Sequence, residues 1–493
     1  MMDFPIWQPF NSEWWTFVIV FLAILFLVGI SEITHQLKLW TSETNRKIVH
    51  IIVGLLVSIT PLIFKTSTHP AILALIFVLL NGFAIASGSF DGIHSQERVS
   101  YGTVFFPLGF LITVLCFWNH PIYIIIAMVI MALGDPLAAF VGQNINNPKK
   151  YIIWAETKSF EGSIAMLVSS IFLTWGLSLF FFPEKQASFH IMLAVVTGIT
   201  ATIAEGISYR GSDNLSVPIL VILFMELFIL KTESGMALEY IKGVLPIIFI
   251  FIIAYRKNSL SENGLMGGII MGLLVFGFGG ILYLAPLFIF FILSSFLSHI
   301  TNSKVLHQAK SLRRNIVQVY ANGGIALLLV IMDHFNPQPW IYAAFLASVA
   351  AATADTWGTE IGRLSSKNPV DIITFQPLQM GESGGITLVG TLGSFAGAII
   401  IGITGYLFGI SHIIIFFIIT AGFLSAIFDS IMGATVQARF IFPLTGKISE
   451  KKIINDQKGY LYTGWHGIDN DIVNIFCTSC GPCLLIIFLN YMK

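Results

Sequence analysis

Two groups of polar residues combine carboxylates with cations, amides and glycines. In the first half of the chain, Arg46 and His50 are four residues apart, and Asp135 lies in the run G-D-P-L-A-A-F-V-G. Residues four apart share one face of a helix. Carboxylate and amide oxygens are ligands for Mg²⁺, and basic side chains pair with phosphate. These residue types therefore indicate chemistry on a phosphate-bearing molecule.

The same group continues in the runs K-S-F-E-G-S and D-N-L-S-V-P. A Gly/Ser turn that leads into a helix presents free N–H groups and a positive dipole end, which suits phosphate. We predict Asp135 and His50 as catalytic residues and Asp135 and Asp213 as metal ligands. The predicted substrate- or nucleotide-binding residues are Arg46, Lys47, Lys158, Ser159, Glu161, Gly162, Ser163 and Asn214.

The second half carries a group of its own. Asp355 lies in A-D-T-W-G-T-E-I-G, and Asp429 begins D-S-I-M-G-A-T-V-Q. Arg314, Gln318 and Asn322 are spaced by four in the run from Leu312 to Gly324, so we expect them on one helix face. A turn from Gly381 is expected to open the following span. We predict Asp355 and Asp429 as catalytic, Asp355, Asp469 and Asp471 as metal ligands, and these binding residues: Arg313, Arg314, Gln318, Asn322, Ser383, Gly384, Gly385, Asn470 and Asn474.

The elements that position these residues are membrane helices. The 493 residues are 56% hydrophobic and 11% charged, with 26 Lys+Arg against 26 Asp+Glu and a mean hydropathy of +0.84. Soluble domains carry about 25% charged residues, so the composition excludes an ordinary soluble protein, a disordered chain and a nucleic-acid binder. About 16 stretches reach the ~20 apolar residues that cross a bilayer. We predict an all-α, polytopic integral membrane protein.

The distribution of basic residues predicts an orientation. When the connections between spans are alternated, 21 of the 26 Lys and Arg residues fall on one side. By the positive-inside rule that side is cytoplasmic, and both termini lie outside. Most of the acidic residues fall on the same side. The expected location is the cell (inner) membrane, with the active sites facing the cytoplasm.

The two halves resemble each other. Asp135 to Gly142 and Asp355 to Gly362 share one spacing, and each group closes with an Asp-Asn pair, at residues 213–214 and 469–470. The two first aspartates are separated by about eight predicted spans, an even number that keeps them on one membrane face. We therefore predict two similar parallel-repeat halves, with domains at residues 1–245 and 246–493.

Several of these runs carry a family resemblance. R-K-x-x-H, the run from Ser100 to Gly109, G-D-P-x-A, K-S-F-E-G-S and D-N-L-x-V-P resemble the CTP-dependent polyprenol kinases, the phytol and dolichol kinases, over roughly residues 40–220. G-D and K-S-x-E-G more distantly resemble phosphatidate cytidylyltransferases. The runs of the second half resemble the membrane family that contains phytyl-phosphate kinase, over roughly residues 255–485.

The resemblance implies a bifunctional isoprenoid kinase. A prenyl alcohol (phytol, geranylgeraniol or farnesol) would become its monophosphate and then its diphosphate, with CTP as phosphoryl donor and Mg²⁺ as cofactor. The expected partners are the membrane-dissolved prenyl alcohol and prenyl phosphate and a nucleoside triphosphate, without nucleic acid. His50 and Asp135 remain alternative bases. The rival functions are a CTP-dependent cytidylyltransferase acting on a lipid phosphate and a secondary transporter, a class that binds ions near the membrane midplane.

Overall fold

The computed structural model describes residues 4–87, 101–154, 156–304, 313–443, 447–450, 452–454 and 457–492. Ser100 and Leu312, which begin two of the runs above, lie outside the described residues. The chain forms two compact units, Met1–Ala237 and Leu238–Lys493. The predicted domain boundary, at residues 245 and 246, falls inside the helix Ala237–Arg256.

The first unit is a set of apolar helices with one short strand pair. Its helices are α1 Glu13–Gln36, α2 Ser42–Ser58, α3 Thr60–Ile63, α4 Thr68–Ser87, α5 Gly102–Phe117, α6 Pro121–Val129, α7 Asp135–Asn144, α8 Phe160–Phe181, α9 Ala187–Gly206 and α10 Asp213–Glu233. Strands β1 Lys150–Ile152 and β2 Thr157–Ser159 pair antiparallel between α7 and α8. This pair therefore separates the helix that carries Asp135 from the next span.

The second unit has longer helices and more strands. Its helices are α11 Ala237–Arg256, α12 Glu262–Lys304, α13 Ile316–Phe335, α14 Ile341–Gly362, α15 Leu388–Leu407, α16 His412–Thr435 and α17 Asn470–Tyr491. Its strands are β3 Val370–Asp371, β4 Gly385–Ile386, β5 Arg439–Phe442, β6 Lys447–Ser449, β7 Ile453–Ile454, β8 Gln457–Lys458 and β9 Tyr460–Thr463. β3 pairs with β4, β7 pairs with β8, and β5 lies between β6 and β9 in an antiparallel sheet.

The prediction of an all-α polytopic membrane protein is confirmed. Within the described ranges, 13 helices are long and apolar enough to span a bilayer, against about 16 predicted stretches. The difference has three sources. α5 has 16 residues, α14 is rich in alanine, and the two stretches predicted around Gly272 and Ile289 form the single run α12, which is broken at Gly280 (φ 63°, ψ −159°).

α14 is the central helix of the second unit. All but one of the residues from Ile341 to Ala354 are buried, and seven of the buried ones are alanine. Small side chains let membrane helices approach closely. A Cβ on Gly422 of α16 would lie 2.6 Å from the Ala350 Cβ, and one on Gly397 of α15 would lie 2.8 Å from the Thr353 oxygen. Alanine therefore replaces larger apolar residues because neighbouring helices cover this helix.

Candidate active sites

Asp135 stands at a helix junction in the first unit. α6 passes through a π-helical turn, Ile130–Gly134, before α7 begins at Asp135. In such a turn a carbonyl accepts from the N–H five residues later, so the Met131 carbonyl would need the N–H of Pro136, which proline lacks. The imidazole of His50 takes the place of that N–H, with Nε2 3.0 Å from the Met131 oxygen. π-turns occur frequently at functional sites.

The bond to Met131 determines the tautomer of His50. A carbonyl oxygen only accepts, so Nε2 carries the hydrogen and Nδ1 is the acceptor of the ring. The ring packs edge-on against Phe106, with centroids 5.1 Å apart. One turn later, a Cβ on Gly54 would lie 2.5 Å from the Ala132 Cβ. Because α2 lies this close to the π-turn, the imidazole of His50 is held against the turn that precedes Asp135.

Charged residues from four elements converge on Asp135. Asp213, at the first residue of α10, and Glu205, near the end of α9, interact with it electrostatically, as do Lys158 and Arg46. Asp213 and Arg46 also interact with the ring of His50. The structure therefore brings together five residues that the sequence predicted, and it adds Glu205, to which the sequence analysis assigned no role.

Lys158 forms an ion pair with Glu205. Its Nζ lies 2.6 Å from Glu205 Oε1 and 3.2 Å from Ser208 Oγ, and Glu205 is 7% exposed. Burial lowers the pKa of Lys158, but the carboxylates of Glu205 and Asp213 raise it by more, so the pKa lies above its ordinary value. Lys158 is therefore a permanent cation beside Asp135.

The other residues of the K-S-F-E-G-S run hold the turn in place. Ser159 is the N-cap of α8, and its Oγ accepts the N–H of Gly162 at 3.1 Å. Both carboxylate oxygens of Glu161 accept the N–H of Lys149 at 3.1 Å, and Ser163 Oγ lies 2.6 Å from a tyrosine hydroxyl in β1. In this arrangement these side chains fix the turn that presents Lys158.

Lys47 and Asn214, two of the predicted binding residues, have hydrogen-bond partners within the first unit. Lys47 lies 2.6 Å from Gln143 Oε1 and 3.3 Å from the Glu43 carboxylate, near the surface. Asn214 donates from Nδ2 to the Gly211 oxygen at 3.2 Å. Its Oδ1 is buried and has no hydrogen-bond partner among the described residues. Asn214 therefore keeps a free acceptor next to Asp213, whereas Lys47 joins α2 to α7.

The second unit brings Asp355 and Asp429 together. Asp355 lies on α14, Asp429 lies on α16, and their carboxyl groups are in hydrogen-bonding contact. Two carboxylates this close repel each other, so either one of them binds a proton or a cation lies between them. Oδ1 of Asp429 is buried and unpartnered within the part of the chain that the structure describes. The pair therefore offers oxygen ligands.

Contacts of α17 place a predicted amide at the level of this pair. A Cβ on Gly481 would lie 2.5 Å from the Ala347 oxygen, and Cys477 Sγ lies 4.0 Å from the Ala351 oxygen, so α17 runs antiparallel to α14. Asn474 lies one turn before Cys477, and Asp355 lies one turn after Ala351. Asn474 is therefore at the depth of Asp355.

The described carboxylates do not form a complete metal cage. Asp469 is the N-cap of α17, and its Oδ1 accepts the N–H of Ile472 at 3.0 Å, while Asn470 and Asp471 occupy the first turn. Among the described residues, no group of three or more His, Cys, Asp or Glu side chains is arranged to hold a metal. Mg²⁺ usually binds through one or two carboxylates, with waters and substrate phosphates as its other ligands. The pair of Asp355 and Asp429 fits that donor set.

The prediction that Arg314, Gln318 and Asn322 share one helix face is wrong for Arg314. α13 begins after Asn315, which accepts the N–H of Gln318, and the Gln318 side chain accepts the N–H of Asn315 in return. This capping box marks the start of α13, so Arg314 lies before the helix. Asn322 is on α13 and donates to the Gln318 oxygen at 2.9 Å.

The two predicted arginines before α13 have protein partners. The side chain of Arg314 lines a cavity of about 10 Å³, room for about one water and not for a phosphate. Burial lowers its pKa and the charge of Glu360 raises it, with a net decrease. Nε of the exposed Arg313 lies 3.0 Å from Asn258 Oδ1.

Sequence reasoning also placed the turn of the second unit too early. α15 begins at Leu388, with Thr387 as its N-cap, and not at Gly381. Ser383 and Gly384 precede β4, because the chain first forms the β3–β4 pair. Ser383 is nevertheless close to the site: its Oγ bonds to the carboxylate of Glu450, which interacts electrostatically with Asp429.

Arg439 is a further residue that the sequence analysis missed. At the start of β5, its Nη2 donates to the Ser383 oxygen at 2.6 Å and to the Gly433 oxygen at 2.9 Å. A basic residue just after the D-S-I-M-G-A-T-V-Q run was the only sequence signal. Its bond to Ser383 spans 56 residues of chain, and no local sequence pattern reveals such a contact.

Several known proteins are similar to this chain. A family model described as integral membrane protein DUF92 matches residues 245–482. An uncharacterised membrane protein of Methanocaldococcus jannaschii is 34% identical over 202 residues, 40% of this chain and 84% of that protein. The phytol kinase of Synechocystis sp. is 31% identical over 229 residues, 44% of this chain and 90% of the kinase.

Protein PGR of Arabidopsis thaliana is 30% identical over 214 residues, 37% of this chain and 74% of that protein. No solved structure matches the chain. The predicted relationship to phytol kinases is confirmed. The chain therefore belongs to an isoprenoid kinase-like family of integral membrane proteins to which phytol kinases are related, and its residues 245–482 match the DUF92 model.

Proposed function

We propose that the chain is a bifunctional isoprenoid kinase. The first unit phosphorylates a prenyl alcohol such as geranylgeraniol, and the second phosphorylates the resulting monophosphate. CTP is the phosphoryl donor, and both sites face the cytoplasm. The observation that carries the proposal is that each unit brings two acidic residues together, Asp135 with Asp213 and Asp355 with Asp429, and packs the helix of the first aspartate against a span that begins with a capped N-terminus.

In the first step the alcohol oxygen attacks the γ-phosphorus of CTP. A new O–P bond forms, the bond from the γ-phosphorus to the β,γ-bridging oxygen breaks, and CDP leaves with that electron pair. The hydroxyl proton passes to a base. Nδ1 of His50 is free to accept it, because Nε2 is bound to Met131, and the carboxylate of Asp135 is the alternative.

Cations in the first unit lie where negative charge increases. Lys158 and Arg46 both interact with Asp135, so they lie within reach of a triphosphate bound beside it. Positioned charges of this kind stabilise a phosphoryl-transfer transition state. Asp135 and Asp213 would hold Mg²⁺ here, and Asp355 and Asp429 would hold it in the second unit. When bound, the ion would neutralise charge on the donor phosphates.

In the second step a phosphate oxygen of the prenyl monophosphate attacks the γ-phosphorus of a second CTP. The same bridging bond breaks, CDP leaves, and the lipid becomes a diphosphate. The attacking oxygen is already anionic, so no base is required. Instead, two anions must be brought together, which requires cationic groups that hold the acceptor.

Labelled CTP tests the proposal against its rivals. Purified full chain in lipid nanodiscs is incubated with γ-³²P-CTP and geranylgeraniol, and the products are separated by thin-layer chromatography. Label in geranylgeranyl monophosphate and then in the diphosphate is expected. Label in pyrophosphate would instead indicate cytidylyl transfer. Unconsumed CTP together with movement of prenol or phosphate across liposomes would indicate a transporter.

A further inference from the structure

The connection between α16 and α17 places a guanidinium at the end of α16, the helix that carries Asp429. Arg439, at the start of β5, is bound through Nη2 to the carbonyls of Ser383 and Gly433. Gly433 lies one turn after Asp429 on α16. Glu450, which follows β6, bonds to Ser383 Oγ and interacts with Asp429. The strand and the acidic pair therefore meet around Ser383.

Two hydrogen-bond donors at this point have no acceptor within the described parts of the chain. Nε of Arg439 and Nε2 of Gln437 are buried and lack a partner among the described residues, and Gln437 is only 3% exposed. Oε1 of Gln437 would lie 3.5 Å from a Cβ on Gly433, so the amide lies beside the carbonyl that Arg439 binds. A buried donor without an acceptor destabilises the folded protein. Such donors indicate a ligand that carries acceptor oxygens.

We propose that Arg439 and Gln437 bind a phosphate oxygen of the substrate in the second unit. This inference rests on the proposed function and assigns the cation that the second step requires. Arg314, the cation predicted from the sequence, lines a cavity with room for about one water. Arg439 instead binds the carbonyl of Gly433, one turn after Asp429 on α16. The ligand is the phosphate of the prenyl monophosphate, or a phosphate of the nucleotide.

The chemistry of the two donors fits an anion. A guanidinium N–H donates to a phosphate oxygen in a charge-assisted bond, which is about twice as strong as a neutral one. Nη2 donates to two carbonyls, whereas Nε has no partner among the described residues, so Nε would donate to the ligand. The carboxylate of Asp371 interacts electrostatically with Arg439. The oxygens of Asp371 accept the N–H groups of Ile373 and Thr374.

A purely structural role for Arg439 is the alternative to exclude. Its Nη2 bonds join the Ser383 turn to the end of α16, so its removal would also loosen the unit. Arg439→Lys keeps the charge but loses the planar fork, and Gln437→Leu removes the neutral donor at similar volume. Arg256→Gln is the matched control, because Arg256 is an exposed arginine at the end of α11, outside the site.

Two measurements on full chain in nanodiscs test the site. The first is equilibrium binding of radiolabelled geranylgeranyl monophosphate and of CTP. The second is the rate of geranylgeraniol phosphorylation, which belongs to the first unit. We expect Arg439→Lys and Gln437→Leu to weaken binding of the monophosphate about 10-fold or more, as loss of a charge-assisted bond would. Alcohol phosphorylation should stay within about two-fold, as in Arg256→Gln.

Each outcome bears on the proposal. Weakened CTP binding with unchanged monophosphate binding would support the phosphate site and assign it to the donor nucleotide. Unchanged binding of both ligands, with a lower unfolding temperature, would overturn it and leave Arg439 a structural residue. If the unaltered chain transfers no label from CTP but binds geranylgeranyl monophosphate through Arg439, the site stands and the kinase proposal fails.

Discussion

The two units build the surroundings of their aspartates in the same way. Each has an aspartate-bearing helix, an antiparallel strand pair and a helix whose N-cap hydroxyl, Ser159 or Thr387, accepts the N–H three residues later. In both, two glycines let the helices approach. A Cβ on Gly162 would lie 3.0 Å from the oxygen of Ala138, and one on Gly390 would lie 2.9 Å from that of Gly358.

The units differ in where the cation comes from. In the first, Lys158 immediately precedes the cap of α8; in the second, Ile386 holds the corresponding place before the cap of α15. Residues 207–212 connect α9 to α10 in the first unit. The corresponding connection of the second unit, between α16 and α17, is longer, residues 436–469, and includes β5, which begins with Arg439. The two units thus share a local arrangement and differ in the position of the positive charge. In the proposed reactions this change accompanies a change of acceptor from a neutral alcohol to an anionic phosphate.

Exchange of the two first aspartates for asparagine gives the largest expected effect. Asp135→Asn should lower alcohol phosphorylation about 10²- to 10³-fold and leave phosphorylation of added monophosphate intact, and Asp355→Asn should do the reverse. Each variant is the control for the other. If Asp355→Asn still made diphosphate at the normal rate, the assignment of one step to each unit would be wrong.

The Lys158–Glu205 pair tests the cation of the first unit. Lys158→Met should lower the first step about 10²-fold and destabilise the unit by roughly 3 kcal/mol, because it leaves Glu205 buried without its partner. The double variant with Glu205→Gln should recover most of the unfolding temperature. Activity should stay low in the double variant, and full recovery of activity would contradict a direct role for the Lys158 charge.

The glycine contacts test whether the shared scaffold is built alike. Gly162→Ala and Gly390→Ala should each lower stability by about 1–3 kcal/mol, since the added methyl meets backbone that cannot move aside. Gly176→Ala is the control on α8, where a Cβ meets nothing within 4 Å. Thermal unfolding in nanodiscs measures all three. An equal loss for Gly176→Ala would show that the effect is not one of close approach.

The caps give the smallest expected effect. Ser159→Ala and Thr387→Ala should each cost about 1 kcal/mol, because each removes the acceptor of one free N–H at a helix start. Ser411→Ala is the control, since Ser411 precedes α16 without a side-chain capping bond. The readout is again the unfolding temperature. A clearly larger loss for one cap than for the other would show that the two turns are not equivalent.

Much of the site could be predicted because local chemistry constrains it. Asp135, Asp355 and Asp429 lie in apolar stretches, and a carboxylate in a membrane helix costs about 2.5–3.5 kcal/mol or more unless it has a role or a partner. Arg46 and His50 share a helix as their spacing predicted. Arg314 was misplaced because the capping box at Asn315 starts the helix after it.

The sequence by itself determined that this is a multi-pass helical membrane protein, because each apolar stretch must satisfy its own backbone hydrogen bonds inside a bilayer. It also determined which carboxylates require a partner. Only the tertiary structure decided the partners, since Lys158 meets Glu205 across 47 residues and Ser383 meets Glu450 across 67. Such pairs depend on how the helices pack, which the glycine and alanine contacts control and no local periodicity encodes.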